Sequence, residues 1–151
     1  METETVELVD LEPQEAGVIM GRVPALDLPA FLGAAFAEVA QALGEQHLGP
    51  VGPPFGRYTP GPDGFDVEAG FPAASHVTPS GRVVPITLPG GTAARFLYRG
   101  DYAGIGQAYA GVEAWVEEHG FVSAGRPWEC YLDDPGVPEP RTEIYVPCRR
   151  R

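Results

Sequence analysis

The sequence is poor in cysteine and histidine, and this shortage argues against a metal site. Of 151 residues only Cys130 and Cys148 are cysteines, and neither belongs to a CxxC pair or a His–Cys cluster. Both fall in predicted strands, which favours buried, reduced thiols. The three histidines lie far apart, at predicted helix ends or in loops. The chain also lacks a glycine-rich phosphate loop and a GxSxG nucleophile motif, and no cofactor is expected.

Basic residues are also scarce, which argues against a nucleic-acid partner. Ten Lys and Arg oppose 21 Asp and Glu, giving a net charge of −11. A phosphate backbone requires a basic face, and the one basic run, 149–151, is expected to be a solvated tail. Acidity can favour cationic ligands, but it serves solubility equally well.

Long apolar runs are missing as well. No stretch of eighteen apolar residues occurs, so neither a transmembrane helix nor a membrane partner is expected. The first residues, 1–4, are acidic and lack the basic and apolar regions of a signal peptide. We therefore expect a cytoplasmic protein, and its length is typical of a single domain with its own core.

The sequence that is present alternates between strand and helix patterns. Apolar residues recur at three- and four-residue spacing over 30–46 and from about 102 to 118, which predicts two amphipathic helices. Asp27 is a candidate N-cap of the first helix, with Pro29 in its first turn. Strands are predicted at 6–11, 17–22, 55–58, 65–71, 83–88, 92–98, around Trp128 and at 142–148.

The two halves of the chain repeat one plan. Segment 52–58 aligns without gaps on 125–131, and 67–72 matches 142–147. A strand–helix–strand–strand unit used twice predicts an α+β fold with antiparallel sheets and two helices related by a pseudo-twofold axis. We expect one domain, with halves at about 1–75 and 80–151, and a central ligand groove where the halves meet.

Two strands of the second half each carry a glutamate two residues before a tyrosine. Side chains two apart share a strand face, so Glu129 lies with Tyr131, and Glu143 lies with Tyr145. Paired as a hairpin, these strands could present two acids and two phenols on one surface. Trp128 has the opposite parity to Glu129 and is expected to pack on the helices.

The repeat is chemically asymmetric at its glutamates. Glu68 matches Glu143, whereas Glu129 takes the place of Gly56. A buried carboxylate without a partner is costly, so Glu129 should be exposed, paired or functional. Two interpretations of Glu143 stay open, because it could line the groove beside Glu129 or form a salt bridge with an arginine, either Arg95 or Arg141. The tyrosines could be core residues with wet hydroxyls or could stack on a planar ligand.

The order of four motifs resembles the GyrI-like small-molecule-binding domains, relatives of the effector-binding domains of AraC-type and MerR-type regulators. The motifs are Leu-Pro-Gly-Gly at 88–91, Tyr-Arg-Gly-Asp-Tyr at 98–102, Pro-Trp-Glu-Cys-Tyr-Leu-Asp-Asp-Pro at 127–135 and Thr-Glu-Ile-Tyr-Val-Pro at 142–147. The resemblance implies two βαββ modules with a central groove. No helix-turn-helix segment precedes the domain, so a transcription factor is not expected from this chain alone.

The resemblance also implies what the protein does. It implies binding of amphipathic, often cationic, aromatic compounds in an acidic aromatic groove. One alternative is a hydrolase that opens cyclopropane-bearing alkylators with Glu129 and Tyr131 as its catalytic residues. Another is a protein-interaction module of the gyrase-inhibitor type, with a protein partner. The ligand-binding residues expected from the motifs and the repeat are Glu129, Tyr131, Glu143, Tyr145, Tyr98, Tyr58, Phe71 and Glu68.

Overall fold

The computed structural model describes residues 6–101, 104–134 and 136–151, and within them it has two α-helices and nine β-strands. The helices are α1 (Leu28–Glu45) and α2 (Ile105–Glu118). The chain divides into two compact units. The first unit is Pro13–Pro89, and the second comprises the chain up to Glu12 together with Gly90–Arg151. The strands are β1 (Glu7–Leu11), β2 (Gln14–Val23), β3 (Phe55–Gly61), β4 (Gly64–Pro72), β5 (Val84–Leu88), β6 (Gly91–Arg99), β7 (Phe121–Ser123), β8 (Trp128–Tyr131) and β9 (Arg141–Arg150).

In the first unit, antiparallel strands in the order β3-β4-β2-β5 carry α1 on one face. Apolar residues at helical spacing, including Val39 and Leu43, are fully buried and pack with Val67 and Ala69 of β4. Burial of such side chains is the main source of the unit's stability. Pro29 lies in the first turn of α1 as expected, although Asp27, the cap residue, makes no side-chain capping bond.

In the second unit, the antiparallel order is β1-β6-β9-β8, with β7 also paired to β9. Val112 and Val116 of α2 are buried against Ile144 and Val146 of β9. The face of this sheet that carries Ile144 is called the α2 face below, and the opposite side is called the outer face.

The tandem βαββ organisation and the α+β class predicted from the sequence are confirmed. The register agrees with the sequence alignment of the halves at each aligned strand position. Gly56 pairs with Ala69 in the first unit, as Glu129 pairs with Ile144 in the second. The aligned residues therefore occupy equivalent positions in the two ladders.

The division of the chain differs from the expected halves at about 1–75 and 80–151. Strand β1 pairs with β6 of the second unit, with Glu7 opposite Arg95, and β5 pairs with β2 of the first unit, with Leu88 opposite Gln14. The three strands of each βαββ module are thus joined by a fourth strand from outside the expected boundary, β5 in the first unit and β1 in the second. Strand alternation fixes which side chains share a face, but it does not say which sheet edge a strand joins.

Three local details concern the second helix, a short extra strand and the basic run. The expected start of the second helix at Tyr102 lies outside the described residues, and the described helix begins at Ile105. Strand β7 was not predicted, because three residues are too few to show alternation. The basic run is not a free tail: Arg149 and Arg150 belong to β9 and pair with β7, and the Arg150 guanidinium lies 5.1 Å from the centre of the Phe121 ring.

One helical segment among the described residues, Ala25–Glu45, is long and apolar enough to cross a membrane by length and composition only. The segment does not contain eighteen consecutive apolar residues, so its sequence alone does not predict a membrane span. A core helix of a soluble protein passes the same test, and α1 places Ala35, Val39, Ala42 and Leu43 against its own sheet.

Candidate functional site

The β8–β9 register separates the two Glu-x-Tyr pairs. Glu129 lies opposite Ile144, whereas Glu143 lies opposite Cys130. Directly opposed side chains share a face, so Glu129 and Tyr131 lie on the α2 face and Glu143 and Tyr145 on the outer face. The expectation that both acids and both phenols share one surface is therefore wrong. The loop between these strands is too long for its turn to set the register.

The Glu129 carboxyl is held between two phenols on the α2 face. The Tyr131 hydroxyl donates to Oε1 at 2.8 Å, and the Tyr109 hydroxyl of α2 donates to Oε2 at 2.8 Å. Glu129 is only 8% exposed. Each carboxylate oxygen thus has a phenol donor, one from the same strand and one from the helix that covers the sheet.

The electrostatics of Glu129 are set mainly by burial. Removal from water raises the pKa of its carboxyl, and the hydrogen bonds from Tyr131 and Tyr109 oppose that rise. Within the described part of the chain, no Arg, Lys or His forms an ion pair with this carboxylate. A largely buried acid with hydrogen bonds but no counter-ion can hold a cation when ionised, or exchange a proton near its raised pKa.

The outer face holds an ion-paired cluster instead. The Arg95 Nε donates to Glu143 Oε2 at 2.8 Å, its Nη2 also contacts this oxygen, and its Nη1 reaches Glu7 at 2.9 Å. Tyr145 lies beside Glu143 and stacks on Trp128, with ring centres 5.5 Å apart. Of the two interpretations of Glu143, the salt bridge to Arg95 is the one observed.

Two further expectations are corrected on this sheet. Trp128 does not pack on α2, because its parity places it on the outer face against Tyr145. Arg141 pairs not with Glu143 but with Asp133, at 2.9 Å. Burial raises the pKa of the Cys130 thiol to about 12, and the negative charges of Glu143 and Glu129 add to the effect, so this thiol is not a nucleophile at neutral pH.

Tyr98 lies on the α2 face in the same row as Tyr131, with Thr142 between them. Its hydroxyl donates to the backbone oxygen of Asp101 at 2.6 Å. Thr142 is fully buried, and its Oγ1 has no hydrogen-bond partner among the described residues. The α2 face therefore groups Glu129 with three tyrosines, Tyr98, Tyr109 and Tyr131.

The three candidates in the first unit, Glu68, Phe71 and Tyr58, make contacts within that unit. Glu68 binds Arg57 through Nε at 2.7 Å, and both side chains are largely buried. Phe71 packs edge-on against Phe36 of α1, with ring centres 5.8 Å apart. Tyr58 lies over a glycine, because its hydroxyl is 2.6 Å from the position that a Cβ on Gly56 would take.

Tyr109 is the site residue that sequence reasoning missed. Its spacing placed it in the apolar stripe of α2, among residues expected to be core. A buried phenol usually needs a hydrogen-bond partner, and an acid on the strand facing that stripe was the available signal. The sequence does not show which face of β8 meets α2, because that depends on long-range strand pairing.

No cluster of three or more His, Cys, Asp or Glu suited to a metal ion occurs among the described residues. A cleft of about 580 Å³ in the second unit lies away from Glu129, and its lining includes Leu8, Phe121, Cys148 and Arg150. The charged side chains that line it, Asp10, Arg149 and Arg150, are exposed. The Glu129 cluster thus remains the stronger candidate site.

Comparison with solved structures supports the fold. The EcmrR C-terminal domain matches with a TM-score of 0.80 at 19% identity, over 99% of this chain and 100% of that one. This chain also matches the EcmrR chain of an EcmrR–DNA complex and spans 58% of its length. SAV2435 bound to tetraphenylphosphonium matches with a TM-score of 0.63 at 17% identity, over 96% and 94%. A hydrolase from Listeria innocua matches at 0.70 and 14% identity, over 95% and 91%.

At these identities the likeness shows the fold alone. Comparison with curated protein sequences gives no match. A family model describing the GyrI-like small molecule binding domain matches residues 4–149, nearly the whole chain. The chain therefore belongs to the GyrI-like small-molecule-binding domains.

Proposed function

We propose that this protein binds amphipathic cations with aromatic groups, and that Glu129 supplies the counter-charge. The observation that carries the proposal is the difference between the partners of Glu129 and those of two other strand glutamates, Glu68 and Glu143. Glu68 and Glu143 are each paired with a buried or half-buried arginine, whereas the described contacts of Glu129 are phenols. A bound cation would complete the pairing that the chain supplies at the other two positions.

The phenols suit the same class of ligand. Tyr109 and Tyr131 present aromatic faces as well as hydroxyls, and cations are attracted to such faces. Tetraphenylphosphonium, the compound bound to SAV2435, is a permanent cation with four aromatic rings. It is therefore the first probe to use with this chain.

Calorimetric titration with tetraphenylphosphonium tests the proposal. Loss of a poorly hydrated counter-charge should weaken binding about tenfold or more in Glu129→Gln, which corresponds to roughly 1.4 kcal/mol. Glu113→Gln is the matched control, because it removes one negative charge from an exposed position on α2. Equal affinities for the parent and Glu129→Gln proteins would refute Glu129 as counter-charge.

A second candidate is hydrolysis of a strained ring at the same acid. The buried carboxyl with its raised pKa, beside a phenol donor, favours it. Glu129 would take a proton from a water molecule while the oxygen of that water attacks a ring carbon. The ring carbon–carbon bond would break towards a conjugated carbonyl, Tyr131 would donate a hydrogen bond to the developing anion, and the proton taken by Glu129 would then be delivered to that anion.

Mass spectrometry separates hydrolysis from binding. Incubation of a cyclopropane-bearing alkylator with the protein in ¹⁸O-water should give a product that has gained one labelled water, and Glu129→Gln should give none. Unchanged compound across several such alkylators would eliminate the hydrolase. A stoichiometric protein partner in a pull-down, together with no binding of the cation, would instead favour the gyrase-inhibitor type of module.

A further inference from the structure

We propose that Tyr109 is a specificity-determining residue, which makes the site favour permanent cations over protonated amines. The inference rests on the proposed function, because it concerns how Glu129 meets its ligand. It concerns the hydroxyl of one side chain on α2 and can fail while the counter-charge role of Glu129 stands.

The geometry at the carboxylate carries the inference. Tyr131 donates to Oε1 and Tyr109 donates to Oε2, each at 2.8 Å, and Glu129 is 8% exposed. A protonated amine gains most from a short N–H···O contact, at about 2.7–2.9 Å. Each carboxylate oxygen keeps a second lone pair. With a phenol on each oxygen and only 8% of Glu129 exposed, however, an amine gains room for that contact mainly by displacing one phenol.

A permanent cation is not subject to this competition. A quaternary ammonium or phosphonium centre has no N–H donor, so it gains nothing from displacing a phenol. It can meet the negative charge at a longer distance while both phenol hydrogen bonds stay in place. Its methyl or aryl groups can also lie against the tyrosine rings.

Tyr109 rather than Tyr131 is the residue that can control this selection. Tyr131 and Glu129 are two residues apart on one strand, so their contact is fixed by the strand itself. Tyr109 approaches from a different element, α2. Its hydroxyl therefore covers Oε2 only as long as the helix and the strand keep their packing.

Two fluorescent ligands of the same shape test the inference. One is (pyren-1-ylmethyl)trimethylammonium and the other is pyren-1-ylmethylammonium, with pyren-1-ylmethanol as the uncharged reference. Tyr109→Phe keeps the ring and removes the hydroxyl, which frees one position on Oε2. The ratio of trimethylammonium to ammonium affinity should fall about tenfold, the effect of one hydrogen bond to a charged group.

The ratio makes the test independent of folding losses, which affect both ligands alike, and thermal unfolding of each variant checks that the domain is intact. A ratio unchanged in Tyr109→Phe, with both affinities shifted equally or not at all, would overturn the inference. The Glu129→Gln variant distinguishes a failure of the Tyr109 inference from a failure of the proposed function. If it weakens both cations while Tyr109→Phe leaves the ratio unaltered, only the role of Tyr109 falls. If it weakens neither, the proposed function falls too.

Discussion

Glu129 lies directly opposite Ile144 in the β8–β9 ladder, and this pairing places its carboxyl between the sheet and α2. The equivalent position in the first unit is Gly56, which has no side chain to bury. The second unit thus carries an ionisable group where the first has none. The cost of burying it in its charged form is the basis of the first prediction.

Glu129→Gln should raise the stability of the protein at neutral pH. Burial raises the pKa of this carboxyl in the folded state, so the ionised form favours the unfolded chain. Glutamine does not ionise, and its amide oxygen can still accept one phenol hydrogen bond. We expect a gain of roughly 0.5–2 kcal/mol in urea denaturation at pH 7, together with weaker cation binding.

The pH dependence of this gain checks its cause. A raised folded-state pKa means that the stability contributed by Glu129 is complete below its unfolded value, near 4.5, and is lost as pH rises through the folded value. The difference between parent and variant should therefore be largest at neutral pH and shrink in acid. A difference that stays constant from pH 7 to pH 4 would show that packing, not ionisation, is responsible.

Glu68→Gln should act in the opposite direction. It leaves the Arg57 guanidinium largely buried without its carboxylate, at a site where the side chains of Arg57 and Glu68 are 13% and 12% exposed. Removing one partner of a buried ion pair typically costs about 3–5 kcal/mol. Chemical denaturation of the variant measures the loss directly.

Asp66→Asn is the matched control for that loss. Asp66 lies on β4, the same strand as Glu68, and pairs with Arg22 of β2, but the side chains of Arg22 and Asp66 are 58% and 55% exposed. An exposed pair contributes only about 0–1 kcal/mol. Similar losses in the Asp66 and Glu68 variants would contradict the view that burial makes the Arg57–Glu68 pair important.

The sequence was sufficient for the elements and the repeat, since these depend on local periodicity. Helical spacing identified α1 and α2, and the gapless alignment of 52–58 on 125–131 anticipated the equivalent ladder positions. Sheet edges and faces depend on long-range pairing. The pairing of β1 with β6 joins segments that are far apart in the sequence. The separation of Glu129 from Glu143 depends on the β8–β9 register, which no tight turn fixes.

The two cysteines should resist alkylation in the folded protein. Burial raises the pKa of the Cys130 thiol to about 12 and also raises that of Cys148, so little thiolate exists at pH 8. Iodoacetamide should label Cys130 about a thousandfold more slowly in buffer than in urea, because the thiolate is the reactive form. Mass spectrometry of timed samples measures both rates. Comparable rates in the two solvents would mean that Cys130 is accessible and ionised in the native state.

Tyr58 occupies the space that a side chain at position 56 would need. A Cβ at position 56 would be 2.6 Å from the Tyr58 hydroxyl and 2.9 Å from two ring carbons. The ring is held by its edge contact with Phe65, at 6.2 Å between centres. In the second unit the corresponding tyrosine, Tyr131, shares this space with the Glu129 side chain and donates a hydrogen bond to it.

Gly56→Ala should therefore destabilise the first unit by about 1–3 kcal/mol, the usual cost of overpacking, as measured by thermal and urea unfolding. Gly33→Ala is the matched control, because Gly33 lies exposed in α1 and a Cβ there meets no atom within 4 Å. Alanine in a helix is favoured over glycine by roughly 0.5–1 kcal/mol, so this change should stabilise. Opposite signs for the same chemical change would identify the contact with Tyr58 as the cause. A neutral or stabilising Gly56→Ala would mean that Tyr58 moves freely, and that an acid could be introduced at position 56 without loss of the fold.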